Sequence, residues 1–262
     1  FYGSGRITLL PDLGPADHCV GVMPGVMAGI APGVGLVDIT HEVPAYGVRE
    51  GAFLLEQAWR YFPKGTVHVG VVDPGVGSER RGIVVEAEGH LFVGPDNGLF
   101  SFVLGAGKVR VLEREEYWLG ERSETFHGRD VFAPVAAHLA RGVKASRMGR
   151  VVKDAMRSPG LEPVRLSRRA WTGAVLHVDR FGNLITNFRV SEFGEVRNRG
   201  FRMVVGLEEV ELYARTYAYC PPGELCVVGG SCGYFEVVLR EGSAAGRTGL
   251  VAGSPLELTV GG

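Results

Sequence analysis

Lysine and glutamine are nearly missing from this 262-residue chain: Lys64, Lys108, Lys144 and Lys153 are its lysines, Gln57 is its one glutamine, and arginine carries the basic charge. That bias fits a heat-adapted or GC-rich source. Cysteine is scarce as well. Cys19, Cys220, Cys226 and Cys232 are too few and too unevenly spaced for a disulfide framework, and the sequence predicts a cytoplasmic protein. The last three stand six residues apart, but no CxxC pair occurs, so a structural role is preferred to zinc. Net charge is low: Lys+Arg 28 against Asp+Glu 29 gives −1, without the basic excess that nucleic-acid coating or a membrane surface requires. The basic residues crowding positions 141–169 have no interleaved aromatics and read as a solvated face. Residues 20–37 lack charge, and Gly21, Gly25, Gly29 and Gly33 repeat at helical spacing, but Pro24 and Pro32 interrupt the stretch. It reads as a buried, glycine-faced helix packed closely on a sheet and not as a membrane span. No basic segment precedes it, so no signal peptide is expected. No GxGxxG follows a strand, and no P-loop or HExxH occurs, which excludes ordinary dinucleotide, P-loop and zincin sites. An ordinary serine-hydrolase reading is set aside with them.

What is present is apolar and rich in glycine: 45% hydrophobic residues against 22% charged, with 40 glycines, enough for a sizeable core and many tight turns. Apolar runs at 6–10, 35–39, 66–72 and 82–87 alternate with amphipathic stretches at 48–61 and 131–140, where Val131, Val135, Ala136 and Leu139 share one face. This rhythm predicts an α/β sandwich with a mostly parallel sheet and crossover helices over residues 1–164. From Trp171 onward, short β-rich runs at 174–178, 201–205, 224–228, 234–239 and 256–260 predict a small antiparallel, β-barrel-like domain over residues 165–262. Ser158, Pro159, Gly160 and Pro163 mark a linker between the two.

In open α/β sheets ligands bind beyond the carboxyl ends of the strands. Asp12 follows the run at 6–10, and Asp73 follows the run at 66–72 in Val-Val-Asp-Pro-Gly-Val-Gly-Ser-Glu-Arg. The Pro74–Gly77 turn can bring Arg80 back to Asp73, keeping the carboxylate ionised and oriented. His127, in Thr-Phe-His-Gly-Arg-Asp just before the stretch at 131–140, suits proton transfer near neutral pH. Each also has a plain structural role open to it: turn former, ion pair, helix neighbour. Asp38, His41 and Glu42 could form a metal site, but a strand end turning into a loop explains them better, and no metal is expected.

Taken together, these segments resemble the S-adenosyl-L-methionine (SAM) hydroxide adenosyltransferase family, related to SAM-dependent fluorinating and chlorinating enzymes. The resemblance runs from Leu9-Leu10-Pro11-Asp12-Leu13-Gly14 through Val37 to Val43, Val71 to Arg80, Val93-Gly94-Pro95-Asp96-Asn97-Gly98 and Thr125 to Asp130. It continues through Asp179 to Asn187 and Ser231-Cys232-Gly233-Tyr234. It implies a homotrimer holding SAM between the N-terminal domain of one subunit and the C-terminal domain of the next, with no cofactor. Water or hydroxide attacks the ribose 5′ carbon, giving adenosine and methionine. The water-activating positions correspond to Asp73, Arg80 and His127, with the proton acceptor left open between Asp73 and His127. A carboxylate at 73 repels halide, so hydrolysis is expected over halogenation. The resemblance assigns Asp12 to the ribose hydroxyls and Asp179 to the methionine ammonium. It places Tyr46, Phe126 and Phe181 around ribose and adenine, Asn183 and the backbone of Leu239 and Glu241 on the base, and Ser231 at the amino-acid end. Pro11, Gly47, Cys232 and Arg240 depart from the family's usual residues. A halogenase, a non-catalytic SAM or adenosine sensor and a metallohydrolase are the competing readings.

Overall fold

In the computed structural model, which describes residues 5–158 and 162–261, three apolar strands begin the first sheet. These are β1 (Arg6–Pro11), β2 (Gly35–Asp38) and β3 (Val67–Val71), with β2 and β3 pairing in parallel on either side of β1. Helix α1 (Cys19–Ile30) links β1 to β2, and α2 (Val48–Ala58) links β2 to β3. Strands β4 (Gly82–Ala87) and β5 (His90–Pro95) form a hairpin across the two-residue turn Glu88–Gly89, both residues with positive φ, the geometry that suits strand twist. Followed by β6 (Lys108–Val111) and β7 (Val151–Val152), the order is β2-β1-β3-β5-β4-β6-β7. Pairs from β2 to β5 are parallel and those from β4 to β7 antiparallel. The sheet is therefore mixed, because the hairpin reverses a direction that the βα rhythm alone leaves parallel.

One apolar layer packs α1 and α3 (Ala133–Ala140) on the sheet through Met23, Met27, Val135 and Leu139. Leu55 and Trp59, in and just beyond α2, pack in a second layer with Leu10, Val85 and Phe92. Each large buried side chain contributes about 1.5–3 kcal/mol. The glycine face of α1 is not buried as expected. Gly21, Gly25 and Gly29 are exposed, because Met23 and Met27, about half a turn away, take the sheet side. The stretch from 141 to 158 belongs to the first unit. Arg81 pairs with both Asp96 and Asp154, and Asp96 accepts the Met156 N–H at 2.7 Å, tying the stretch into the first unit. Pro159 and Gly160 lie outside the described residues. Among those described, no helix is long and apolar enough to cross a membrane.

The chain divides into two units, Phe1–Ser158 and Pro159–Gly262. The second contains β8 (Val164–Arg165), β9 (Ala170–Val178), β10 (Leu184–Arg189), β11 (Phe201–Val205), β12 (Glu208–Val210), β13 (Leu225–Gly229), β14 (Tyr234–Leu239), α4 (Ala244–Thr248) and β15 (Pro255–Val260). All of its strand pairs within the named sheet are antiparallel, in the order β12-β11-β15-β9-β10-β14-β13, with β8 pairing β9. The residues after β12 reach β13 by Val227 N–H to Leu212 O at 2.8 Å and Ala214 N–H to Val227 O at 2.9 Å. The barrel-like sheet is nearly closed as a result, around Phe188, Met203, Phe235 and Leu258.

Two of the buried histidines in the first unit, His68 and His90, meet each other. Thr8 Oγ1 is 2.8 Å from His68 Nδ1, His68 Nε2 is 3.1 Å from His90 Nδ1, and the His68 ring stacks on Phe92. Burial, helped by His90, lowers the His68 pKa to about 3. Unfolded histidine titrates near 6.5, so stability gained by keeping His68 neutral is complete above that value and is lost as the pH falls from there toward 3. Urea denaturation should show wild type losing about 2–3 kcal/mol from this group between pH 6.5 and 4.5, and His68→Gln should flatten that slope.

Candidate active site

At the carboxyl ends of the parallel strands the chain leaves β1 for one side of the sheet and β3 for the other, a switch point where α/β sheets hold ligands. Asp12 and Asp73 follow these two adjacent strands, with Asp12 N–H bonded to Val71 O at 3.3 Å. The turn after Asp73 is fixed by Ser78, whose hydroxyl donates to Gly75 O at 2.6 Å and accepts from Arg80 N–H at 3.2 Å. Arg80 is thereby returned to Asp73. Its Nε donates to Asp73 Oδ1 at 3.1 Å and its Nη2 to Asp73 Oδ2, a bidentate pair with side chains 8% and 6% exposed. The same Nη2 lies 3.0 Å from His127 Nδ1, and the guanidinium covers the Phe132 ring at 5.3 Å.

This geometry fixes the imidazole. A guanidinium can only donate, so His127 Nδ1 accepts, and the neutral ring carries its proton on Nε2. Nε2 is buried with no hydrogen-bond partner among the described residues. Burial and the Arg80 and Arg122 charges push the His127 pKa down, and burial pushes Asp73 up against the pull of Arg80. The site therefore holds a paired carboxylate beside a neutral ring with a free N–H donor.

His127 is carried on a short braced loop. Asp130, 1% exposed, accepts from the Ser123 N–H at 2.9 Å and hydroxyl at 2.7 Å and pairs with Arg129. Instead of starting an α-helix at Val131, the chain makes a π-turn (Gly128–Phe132), which leaves the Asp130 carbonyl to accept the Leu119 N–H at 2.8 Å. Such turns are common at functional sites. The loop meets the Asp73–Arg80 turn at Gly77, whose φ is +78° and where a Cβ would lie 2.5 Å from Glu124 O. Sequence inspection missed this contact because no local pattern reports it.

Asp12 Oδ2 accepts the Tyr46 N–H at 3.0 Å, holding Tyr46 at φ 67° with its side chain largely exposed. A non-glycine residue there is strained and needs such support. Phe126 lies under the Arg129 guanidinium at 5.4 Å. The first unit thus gathers Asp73, Arg80 and His127 in one cluster and Asp12 with Tyr46 in another. Asp38 Oδ1 and His41 Nε2 are 2.9 Å apart, but Glu42 does not complete a metal-holding group. Among the described residues the one such group is Asp17-His18-Cys19, with the first two exposed and Cys19 partly buried.

In the second unit, Asp179 organises the β9–β10 turn. Its Oδ1 accepts the Phe181 and Asn183 N–H groups at 2.9 and 2.8 Å, and its Oδ2 accepts Asn183 Nδ2 at 2.9 Å. This turn borders a cavity of about 710 Å³ lined by Asp179, Phe181, Asn183, Leu239 and Glu241, all expected from sequence, and by Tyr217, which was missed. Tyr217 offered no signal beyond being an aromatic in a loop. Ser231 is exposed in the β13–β14 turn and is not among the residues lining the cavity. Gly229-Gly230-Ser231-Cys232-Gly233 does carry the Gly-x-Ser-x-Gly spacing of a hydrolase elbow. It joins two antiparallel strands and not a strand to a helix, so the serine-hydrolase reading fails on context.

Residues 7–149 match the SAM hydroxide adenosyltransferase N-terminal domain, and residues 173–257 match the C-terminal domain. The chain belongs to the SAM hydroxide adenosyltransferase family. It is 39% identical to the (R)-S-adenosyl-L-methionine hydrolase of Salinispora arenicola over 97% of this chain and 98% of that one. Identity to the protein of the same name from Thermus thermophilus is 37%, over 96% and 98%. A fluorinase from an Actinoplanes species is 29% identical over 71% and 72%. Among solved structures, an uncharacterised conserved protein from Thermotoga maritima superposes with a TM-score of 0.89 at 35% identity, over 97% of this chain and 99% of its own.

If the Arg80 contact sets the tautomer, nitrogen-15 NMR should find His127 neutral and protonated on Nε2 at pH 6.5, where ordinary histidine is half charged. Gly77→Ala should separate the two loops and abolish that Nε2–H signature while the protein remains folded.

Proposed function

We propose that the protein is a SAM hydrolase, forming adenosine and L-methionine from the (R)-sulfonium epimer. The observation that carries this reading is the trio of carboxylate, guanidinium and neutral imidazole centred on Arg80. It is supported by identities of 37–39% over nearly the whole chain to proteins named (R)-SAM hydrolase. Water is a poor nucleophile and a sulfonium a good leaving group, so the protein's task is to align water and take its proton. His127 Nε2–H donates to the water oxygen. Asp73 keeps an unshared pair on each oxygen beside those used by Arg80 and receives the proton. The water oxygen bonds to C5′ as the C5′–S bond breaks, its electron pair staying on sulfur, and methionine leaves as a neutral thioether without an acid catalyst. SAM and water become adenosine, methionine and one proton, which Asp73 passes to solvent. This balance requires no cofactor.

Asp12 takes the ribose hydroxyls, with Tyr46 and Phe126 beside the nucleoside. Asp179 pairs with the methionine ammonium, Phe181, Asn183 and the backbone of Leu239 and Glu241 hold the base, and Ser231 faces the amino-acid end. The working form is a cytoplasmic homotrimer whose sites lie between subunits. Asp73→Asn should lower kcat/KM about 10²–10⁴-fold, and wild-type turnover in that variant would contradict the reading. Incubation with fluoride or chloride should still yield adenosine. A 5′-halogenated nucleoside would favour a halogenase, and tight binding without turnover a sensor.

Sites shared between subunits make a further outcome distinctive. Asp73→Asn and Asp179→Ala homo-oligomers should each be nearly inactive, whereas co-refolded mixtures should recover activity, because some sites join two intact halves. No recovery in a mixed assembly shown by mass to contain both variants would place each site within one chain.

A further inference from the structure

The second unit holds a carboxyl group that the proposed reaction does not use. Glu236 is on β14, whose Phe235 and Val237 fill the barrel core. Val238, two residues on and on the opposite face, packs with Ala214 and Cys220 from the segment preceding β13. Glu236 shares that face and is 5% exposed. Its charge is acted on by Tyr217, Asp179 and Cys232, none of them a cation, and burial and Asp179 push its pKa up. An acid buried with no countercharge among the described residues and beside a second acid works against folding, and such conflicts tend to mark function.

Both of its oxygens are engaged at the cavity margin. Tyr217 Oη donates to Oε2 at 2.8 Å, and Cys232 Sγ stands 3.9 Å from Oε1. Tyr217 lines the cavity, its side chain is half-exposed, and among the described residues this bond is what sets how the ring faces the cavity. The Ser231–Cys232 turn is drawn in from the other side. The carboxyl fits closely over Gly230, where any Cβ would collide with it.

We propose that Glu236 is a positioning residue for this cavity, fixing the Tyr217 ring as one wall through Oε2 and anchoring the Ser231–Cys232 turn through Oε1. The inference rests on the reading that the cavity receives the adenosyl end of SAM. Tyr217→Phe removes one hydroxyl from a half-exposed ring and leaves the fold intact, so it accompanies Glu236→Ala and Glu236→Gln. Glu236→Ala and Tyr217→Phe should each raise the KM for SAM and the Kd for adenosine about five- to tenfold with kcat within about twofold, as expected for loss of one hydrogen bond used in binding. The double variant Glu236→Ala/Tyr217→Phe should be no worse than either alone, because both break the same bond. Glu236→Gln, whose amide oxygen still accepts from tyrosine, should recover part of the loss. Carbon-13 tyrosine NMR without substrate should show the Tyr217 ring losing its fixed environment in Glu236→Ala. Multiplying effects in the double variant, or an unchanged Tyr217 signal, would overturn the inference while leaving the hydrolase reading intact. A wild-type protein that neither cleaves SAM nor binds adenosine would instead remove the reading on which the inference rests.

Discussion

Arg80 holds the candidate site together through one property of its side chain: a guanidinium donates hydrogen bonds and never accepts them. With two N–H groups on Asp73 and one on His127 Nδ1, it settles the protonation of both neighbours. The carboxylate is kept as an acceptor and the imidazole as a donor through Nε2. The pair is nearly closed to solvent, so these preferences are not screened as they would be at a surface. A lysine could balance the charge but could not form the two-pronged contact and reach the ring from one planar group.

The fold serves this contact from three directions. β3 delivers Asp73 at the switch point, the Ser78-braced turn returns Arg80, and the Asp130-braced loop brings His127. These elements are far apart in sequence but meet where Gly77 lets two loops approach. The neighbouring Asp12–Tyr46 contact follows the same pattern, a strand-end carboxylate holding a strained, largely exposed tyrosine. In the second unit the Asp179 turn has this character too, since its side chain accepts three hydrogen bonds from its own turn before any ligand is considered.

Much of this was legible in the sequence, for local reasons. The runs at 82–87, 201–205 and 234–239 match β4, β11 and β14 residue for residue, because period and turn residues act over short distances. Asp73 and Arg80 were legible because a Pro-Gly turn reverses the chain between them. What was hidden depends on distant partners. The π-turn before α3 needs Leu119 to claim the Asp130 carbonyl, and the exposed glycine face of α1 follows from which side Met23 and Met27 take. A regular repeat of small residues gives the helix a face but not its direction. Tyr217 and Glu236 were hidden for the same reason, as their meeting depends on a loop crossing the outside of the barrel.

The central claim is that a solvent molecule, held by this trio, attacks the primary carbon of the nucleoside. Turnover of SAM in oxygen-18 water tests it most directly, with mass spectrometry of every product. The account predicts heavy oxygen in the 5′-hydroxyl of adenosine and unlabelled methionine. Methylthioadenosine accompanied by labelled homoserine, or adenosine free of the isotope, would contradict it.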